Sequence, residues 1–162
     1  MNKFIYGGVL IVLLVIGLIF VFLPGEGNNE GFELQRENPL SVEFGQESYR
    51  VHFENLLDFQ QYEIDTERGD IFKGIRLKVL LGTLNIPLEE IDRVITTSID
   101  AYSVALSAEE VLAEDNVYLV YEINGKPLSP MEEGGSGPFR ILIREDPFRQ
   151  RWNKNVEVIE VR

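Results

Sequence analysis

Residues 4–23 form an unbroken run of twenty residues without a charged side chain. As a helix rising about 1.5 Å per residue, such a run is about 30 Å long and crosses the hydrocarbon core of a bilayer. The run ends at residues 20–24 without the small residues of a cleavage site, and the chain has no cysteine for a lipoprotein anchor. The sequence therefore predicts an uncleaved transmembrane helix, with a cleaved signal peptide as the alternative.

The charges on either side of this run predict its orientation. Lys3 precedes the run, whereas Glu26, Glu30 and Glu33 follow it. By the positive-inside rule, residues 1–3 lie in the cytoplasm and the chain from Pro24 onward lies outside. We therefore expect a single-pass protein of the cell membrane with an extracytoplasmic domain.

The part of the chain after the run divides into a linker and a single domain. Residues 24–38 include the polar, glycine-rich stretch GEGNNEG, which is typical of a flexible linker. Residues 39–162 form a segment long enough to bury a core without disulfides or metals. The sequence thus predicts one folded domain over residues 39–162.

The composition excludes several classes of function. Without Lys3, the outer part has 14 basic and 27 acidic residues, a formal charge of −13, which repels phosphate backbones and anionic head groups. The absence of cysteine excludes disulfides, thiolate zinc sites, iron–sulfur ligation and cysteine nucleophiles. We expect no nucleic-acid partner, and a protein or small-molecule partner of unknown identity outside the cytoplasm.

Local patterns predict an α+β domain with a mixed sheet and a few short helices. Leucines at i, i+3, i+4 and i+7 indicate an amphipathic helix over residues 75–84. Ser107 and Glu110 form a capping box, and Asn124-Gly125 is a strong hairpin signal. Strands are predicted by alternation and β-branched residues over 48–53, 62–66, 93–99, 102–106, 118–123, 126–128, 139–143 and 156–161.

Several short blocks in a fixed order resemble one known family. They are VHFENLLDF, KGIRL leading into LLGTL, DAYS, the hairpin VYEINGKPL, GGSGPFR and RWNKNV. Over residues 39–162 this order resembles the sulfite-oxidase-type molybdopterin-binding domain family. The resemblance implies that family's mixed-sheet fold, here preceded by one transmembrane helix, together with a molybdopterin cofactor and oxidoreductase activity.

The chain departs from the family at the metal. In catalytic members a cysteine thiolate before the leucine helix binds molybdenum, and the equivalent residues 62–70, YEIDTERGD, contain no cysteine. Carboxylates such as Asp65 or Glu67 replace a soft thiolate poorly, and only Arg68 offers a cation for the pterin phosphate. We therefore expect a non-catalytic binding or accessory module without a cofactor, although the resemblance keeps molybdopterin binding and enzymatic activity open.

The resemblance also points to candidate residues. Asp100, Tyr102 and Arg140 keep the family's pattern and are predicted to line the cofactor cleft, or else Asp100 and Arg140 pair with each other and hold two strands together. Ala101 stands where relatives often have glycine. No catalytic residue and no metal ligand is predicted.

Two other functions remain open at this point. One is a molybdopterin-dependent oxidoreductase, or redox subunit, whose cofactor site lacks cysteine. The other is a calcium-dependent adhesion or scaffold domain that uses Asp65, Glu67 and Asp70, although their spacing departs from the known calcium loop. The single histidine, His52, lies on the polar face of a predicted strand, where a structural role is favoured.

Overall fold

The computed structural model describes residues 30–146 and 149–162. Its strands are β1 (Leu40–Phe44), β2 (Glu47–Val51), β3 (Tyr62–Asp65), β4 (Ile71–Arg76), β5 (Arg93–Ser98), β6 (Ser103–Ser107), β7 (Val117–Ile123), β8 (Lys126–Pro127), β9 (Arg140–Ile143) and β10 (Val156–Val161). Its α-helices are α1 (Glu30–Glu37), α2 (Phe53–Leu57), α3 (Leu77–Thr83) and α4 (Ala108–Leu112), and two 3-10 helices cover Leu88–Glu90 and Met131–Glu133.

The strands form two sheets. The first has the order β2-β1-β10-β5-β6, in which β1 and β10 are parallel and the other neighbours are antiparallel. The second has the order β3-β4-β7-β8, and β9 also pairs with β7. The mixed sheet with a few short helices confirms the predicted α+β class.

Strand β7 is the centre of the second sheet. Six of its seven residues are buried, so both of its faces are covered, and Leu119 and Tyr121 have no exposed surface. Its neighbour β4 approaches so closely at Gly74 that a Cβ atom there would lie 2.1 Å from the carbonyl oxygen of Leu119. Only glycine fits this contact, which coincides with a register shift between the two strands.

Residues 71–76 form strand β4, which no local pattern had predicted, and helix α3 begins at Leu77 instead of residue 75. The leucine periodicity itself is confirmed, because Leu77, Leu80 and Leu81 are buried and Leu84 packs partly buried against the core. The strand escaped prediction because it alternates poorly and is stabilised by pairing with β3 and β7.

Helix α1 lies inside the segment that we predicted to be a flexible linker, residues 24–38. Phe32 stacks on Phe53 of α2 with ring centroids 5.3 Å apart, and Arg36 pairs with Glu54 at 3.1 Å. The buried Gln35 donates hydrogen bonds to the carbonyls of Tyr121 and Pro138 at 3.4 and 3.2 Å. The packed domain therefore begins with α1, before residue 39.

No helix within residues 30–146 and 149–162 is long and apolar enough to span a membrane. The predicted transmembrane helix over residues 4–23 lies outside the described residues.

Candidate functional site

A recess of about 210 Å³ lies where β3 ends, against the segment that follows β9. It includes part of the stretch in which catalytic relatives carry the cysteine, residues 62–70. The lining residues are Ile64, Asp65, Thr66, Glu67, Leu142, Arg144, Asp146, Arg149 and Trp152. We call this recess the β3 pocket.

The end of β3 brings a hydroxyl, and no sulfur, to this pocket. Alternation along the strand buries Ile64, and a tight turn follows in which the Thr66 amide donates to the carbonyl of Asp70 at 2.9 Å. The Oγ1 atom of Thr66 is buried without a hydrogen-bond partner. Asp65 and Glu67 are exposed, so Thr66 is the residue of this stretch that presents a buried polar atom at the pocket.

Two arginines meet on the ring of Trp152 beside the pocket. The guanidinium carbons of Arg140 and Arg149 lie 5.4 and 4.9 Å from the ring centroid, within the range of cation–π attraction. Arg140 also lies 5.2 Å from the ring of Phe72. The indole N–H of Trp152 donates to the carbonyl of Ile143 at 2.8 Å, which fixes the ring that holds both cations.

The Arg140 guanidinium is in an unfavourable electrostatic setting. Burial lowers its pKa, the neighbouring Arg149 lowers it further, and Asp70 acts in the opposite direction. Its Nε atom is buried without a hydrogen-bond partner, and no ion pair includes Arg140 among the described residues. No ion pair joins Asp70 to Arg140 in the part of the chain that the structure describes, and because a largely buried guanidinium without a salt bridge is costly, a bound anion would offset that cost.

The other two predicted cleft residues lie elsewhere. Asp100 and Tyr102 are in the turn between β5 and β6 of the first sheet, whereas Arg140 begins β9 of the second. The Asp100 carboxylate accepts a hydrogen bond from the Tyr102 amide at 3.2 Å, and both residues are exposed. No hydrogen bond or ion pair joins Asp100 to Arg140 in the described part of the chain, so their predicted pairing is wrong.

Ala101 adopts a φ of +66°, in the left-handed region that favours glycine. The structure thus accounts for glycine at this position in relatives by the geometry of the β5–β6 turn. An alanine here is strained by the turn itself, and its side chain is exposed.

Sequence reasoning missed the basic residues of the pocket. It named Arg68, which is exposed, and Arg140, which lies beside the pocket. Arg144 and Arg149, which line the pocket, come from the turn region after β9 and were not named. The signal was the density of arginines around Trp152 in an otherwise acidic chain. Arg151 belongs to the same run, but it pairs with Glu110 at 2.7 Å and lies 4.0 Å from Asp146, a lining residue of the pocket.

The lining of the β3 pocket combines two guanidiniums, those of Arg144 and Arg149, with the carboxylates of Asp65, Glu67 and Asp146, and it offers no thiol to a metal. No group of three or more His, Asp or Glu residues is placed to hold a metal ion within the described ranges, and the acidic residues 65, 67 and 70 form no such group there. The volume of about 210 Å³ is below the roughly 300 Å³ at which small-molecule pockets usually begin.

His52 lies just before α2, where its amide donates to the Asn55 side chain at 3.1 Å, in agreement with a structural role.

Comparisons with known proteins identify the family and the fold of the chain. The model of the family described as oxidoreductase molybdopterin binding domain matches residues 46–162. No curated protein matches the chain. Among solved structures, the chain is similar to the sulfane dehydrogenase SoxCD from Paracoccus pantotrophus, with a TM-score of 0.61 and 18% identity over 78% of this chain and 38% of that one. At this identity the likeness shows the fold alone, and the chain spans well under half of that protein.

Proposed function

The chain belongs to the oxidoreductase molybdopterin binding domain family, and we propose that it is a membrane-anchored, extracytoplasmic member that does not perform molybdenum catalysis. In this proposal the domain acts as a binding or accessory module for another protein or a small molecule outside the cytoplasm. The family match confirms the resemblance found in the sequence; the anchor, the location and the non-catalytic role are the proposal.

The observation that carries the proposal is the chemistry at the end of β3. Thr66 presents a hydroxyl at the β3 pocket, and the chain has no cysteine anywhere. A neutral hydroxyl is a hard, weak ligand, whereas the family's metal is held by a soft thiolate. The exposed carboxylates of Asp65 and Glu67 do not replace that thiolate.

The anion-binding part of the pocket supports a binding role. Arg140 is the predicted cleft residue that lies beside it, and Arg149 and Thr66 add a second cation and an unpartnered hydroxyl. A phosphate-sized anion, either free or as part of a larger molecule, would bind at Arg140 and would compete with Glu67, which lies 3.9 Å from Arg149. The other carboxylates of the lining are those of Asp65 and Asp146. Asp100 and Tyr102 remain predictions, since no described contact links them to the pocket.

The anchor rests on the uncharged run of residues 4–23 and on the charges around it. We expect the full chain to resist alkaline extraction from its native membrane, and we expect protease to reach the domain only from outside. Release by alkali, or protection of the domain in intact cells, would contradict the anchor or its orientation.

Metal content tests the non-catalytic role. The full chain is expressed with the molybdopterin pathway active, purified from membranes in detergent, and analysed for molybdenum and for pterin fluorescence. We expect far less than one molybdenum atom per chain, and stoichiometric metal would overturn the proposal. A pterin signal with metal would favour the alternative of an oxidoreductase without a cysteine ligand.

The matched variant is Thr66→Cys, which places a thiol at the pocket with little change in side-chain volume. If this variant acquires molybdenum and the natural chain does not, the missing thiolate alone accounts for the loss. If neither acquires it, the small volume of the pocket also excludes the group.

A further inference from the structure

A second recess, of about 450 Å³, lies between α2 and α3 and is separate from the β3 pocket. Its lining residues are Arg50, Val51, Asn55, Asp58, Phe59, Leu80, Thr83 and Leu84. Its volume is in the range of small-molecule sites, roughly 300 to 1,000 Å³. We call it the α2–α3 groove.

The groove has an apolar base and a polar rim. Val51 and Leu80 are 4% and 1% exposed, and Phe59 and Leu84 are half-buried beside them. The polar lining residues, Asn55, Asp58 and Thr83, are exposed. Such a base accepts an apolar group and offers it no hydrogen bonds.

Exposed apolar side chains extend from the same two helices. Leu57 of α2 is 50% exposed and Val79 of α3 is 40% exposed, and they are two of the six large apolar residues exposed in the described part of the chain. Val79 lies one helical turn from the rim, since the Thr83 hydroxyl donates to the Val79 carbonyl at 2.9 Å. The apolar surface therefore continues from the groove onto the helices.

Chain length keeps this face close to the proposed anchor, and this step rests on the proposed function. Six residues, 24–29, separate the uncharged run from α1, and at about 3.5 Å per residue they reach at most about 21 Å. Helix α1 is in turn fixed to α2 by the stacking of Phe32 on Phe53 and by the pair of Arg36 with Glu54. The helix that forms one wall of the groove is thus held near the bilayer surface.

We propose that the α2–α3 groove binds an acyl chain of a membrane phospholipid. The apolar base receives the chain, and Leu57 and Val79 enter the boundary between head groups and acyl chains. Arg50, which is in no ion pair among the described residues, lies at the rim within reach of a lipid phosphate. Because Asp58 balances Arg50 at the rim and the domain is acidic overall, the lipid is a zwitterionic one.

Photolabelling from within the bilayer tests this site. The full chain is reconstituted into phosphatidylcholine vesicles that contain phosphatidylcholine with a diazirine at the end of one acyl chain. After irradiation, labelled peptides are mapped by mass spectrometry. We expect label within residues 51–59 and 77–84, in addition to label in residues 4–23.

Paired variants sharpen the test. Leu57→Gln combined with Val79→Gln removes the exposed apolar surface without touching the core, and it should lower the groove label by on the order of threefold or more, because apolar contact drives the binding. Ile71→Gln is the matched control, since Ile71 is 41% exposed outside the groove lining. The proposal would be overturned if the double variant were labelled as strongly as the natural chain, or if the control variant lost as much label as the double variant.

The remaining outcomes separate this site from the anchor. If the chain resists alkaline extraction but only residues 4–29 are labelled, the anchor is supported and lipid binding in the groove is contradicted. If alkali releases the chain from the vesicles, both the anchor and lipid binding in the groove are contradicted. Crosslinks between the groove peptides of two copies, in place of lipid label, would show a self-association surface and overturn lipid binding.

Discussion

The β3 pocket and the α2–α3 groove rest on one hydrophobic core but differ in what they lack. The pocket places a largely buried guanidinium, that of Arg140, without an ionic partner beside the ring of Trp152. The groove has a base of apolar side chains and no buried charge in its lining. One recess combines cationic and acidic side chains beside an unpaired guanidinium, and the other has an apolar base, so the same fold offers two chemically distinct binding surfaces.

The comparison also separates the part of the pocket that the family resemblance covers from the part that departs from it. The blocks that contain Arg140 and Trp152 follow the family's pattern, whereas the residue at the end of β3 is Thr66. Anion binding depends on charge brought together by the fold, while metal binding depends on one particular atom. In our proposal, the domain lacks the metal ligand, while the guanidinium of Arg140 remains available to an anion.

Glycine substitutions in the two regions are expected to have opposite effects, and the first is the largest that we predict. Gly74→Ala places a Cβ atom against the backbone of Leu119 in the sheet that contains the pocket, and it should lower the free energy of unfolding by about 1–3 kcal/mol or more.

Gly82→Ala lies in α3 beside the groove, where the added Cβ atom meets no atom closer than 3.8 Å. It should raise the free energy of unfolding by about 0.5–1 kcal/mol, because alanine favours a helix more than glycine does. Urea unfolding measures both, and a loss of stability in Gly82→Ala would contradict the helical environment.

Arg140→Met tests whether the β3 pocket binds an anion. The variant loses cation–π contacts, which destabilises the fold, and it also loses a buried unpaired charge, which stabilises the fold. Because these effects oppose each other, the free energy of unfolding should change by less than about 1 kcal/mol in phosphate-free buffer. Added inorganic phosphate should raise the thermal midpoint of the natural chain and not that of the variant.

The matched control for that experiment is Lys126→Met, because Lys126 is exposed in β8 and lines neither recess. It should keep the full response to phosphate. An equal loss of response in Lys126→Met would mean that phosphate acts through general charge and not through the β3 pocket.

The smallest predicted effect concerns pH. The hydrogen bond from Arg151 lowers the pKa of Glu110 below its ordinary value of 4.5, with burial opposing it. A carboxylate with a lowered pKa in the folded state stabilises the fold above its unfolded pKa, and this contribution disappears as pH falls through the folded pKa. Glu110→Gln keeps a side chain that can cap the helix but removes the charge that pairs with Arg151. It should lower the free energy of unfolding by at most about 1 kcal/mol at pH 7, because the ion pair is partly exposed.

Thermal unfolding between pH 7 and pH 3 measures this difference, which should vanish at the acid end. Glu109→Gln is the control, because Glu109 lies in the same helical turn, is exposed and makes no ion pair among the described residues. A difference between natural chain and Glu110→Gln that persists at pH 3 would contradict the role of the charge.

Elements with a complete local signal were predictable from the sequence. The capping box is present, since the Glu110 amide donates to the Ser107 hydroxyl at 3.2 Å and the Ser107 amide donates to the Glu110 carboxylate at 2.9 Å. Asn124 and Gly125 both adopt positive φ, as their hairpin requires. Strand β10 covers the predicted residues 156–161. In each case neighbouring residues contain the whole reason for the structure.

The candidate site was only partly predictable. Arg140 was named from the family's pattern, but Arg149 and Thr66 were not, because neither carries a local signal of a binding site. Helix α1 was predicted as linker, since a polar glutamine gives no hint that it will be buried against two distant carbonyls. Both errors concern residues whose roles depend on partners far away in the chain.

The sequence alone determined the family, most of the strands and helices other than β4 and α1, and the absence of a cysteine ligand, because these depend on residue identity and on short-range spacing. The tertiary structure alone decided that Thr66 stands at the pocket, that two arginines share one tryptophan, and that an apolar groove opens beside the helix to which α1 is fixed. The physical reason is that charge and burial at a site depend on which side chains the sheets bring together, and that pairing is fixed by the whole core and by no local stretch of sequence.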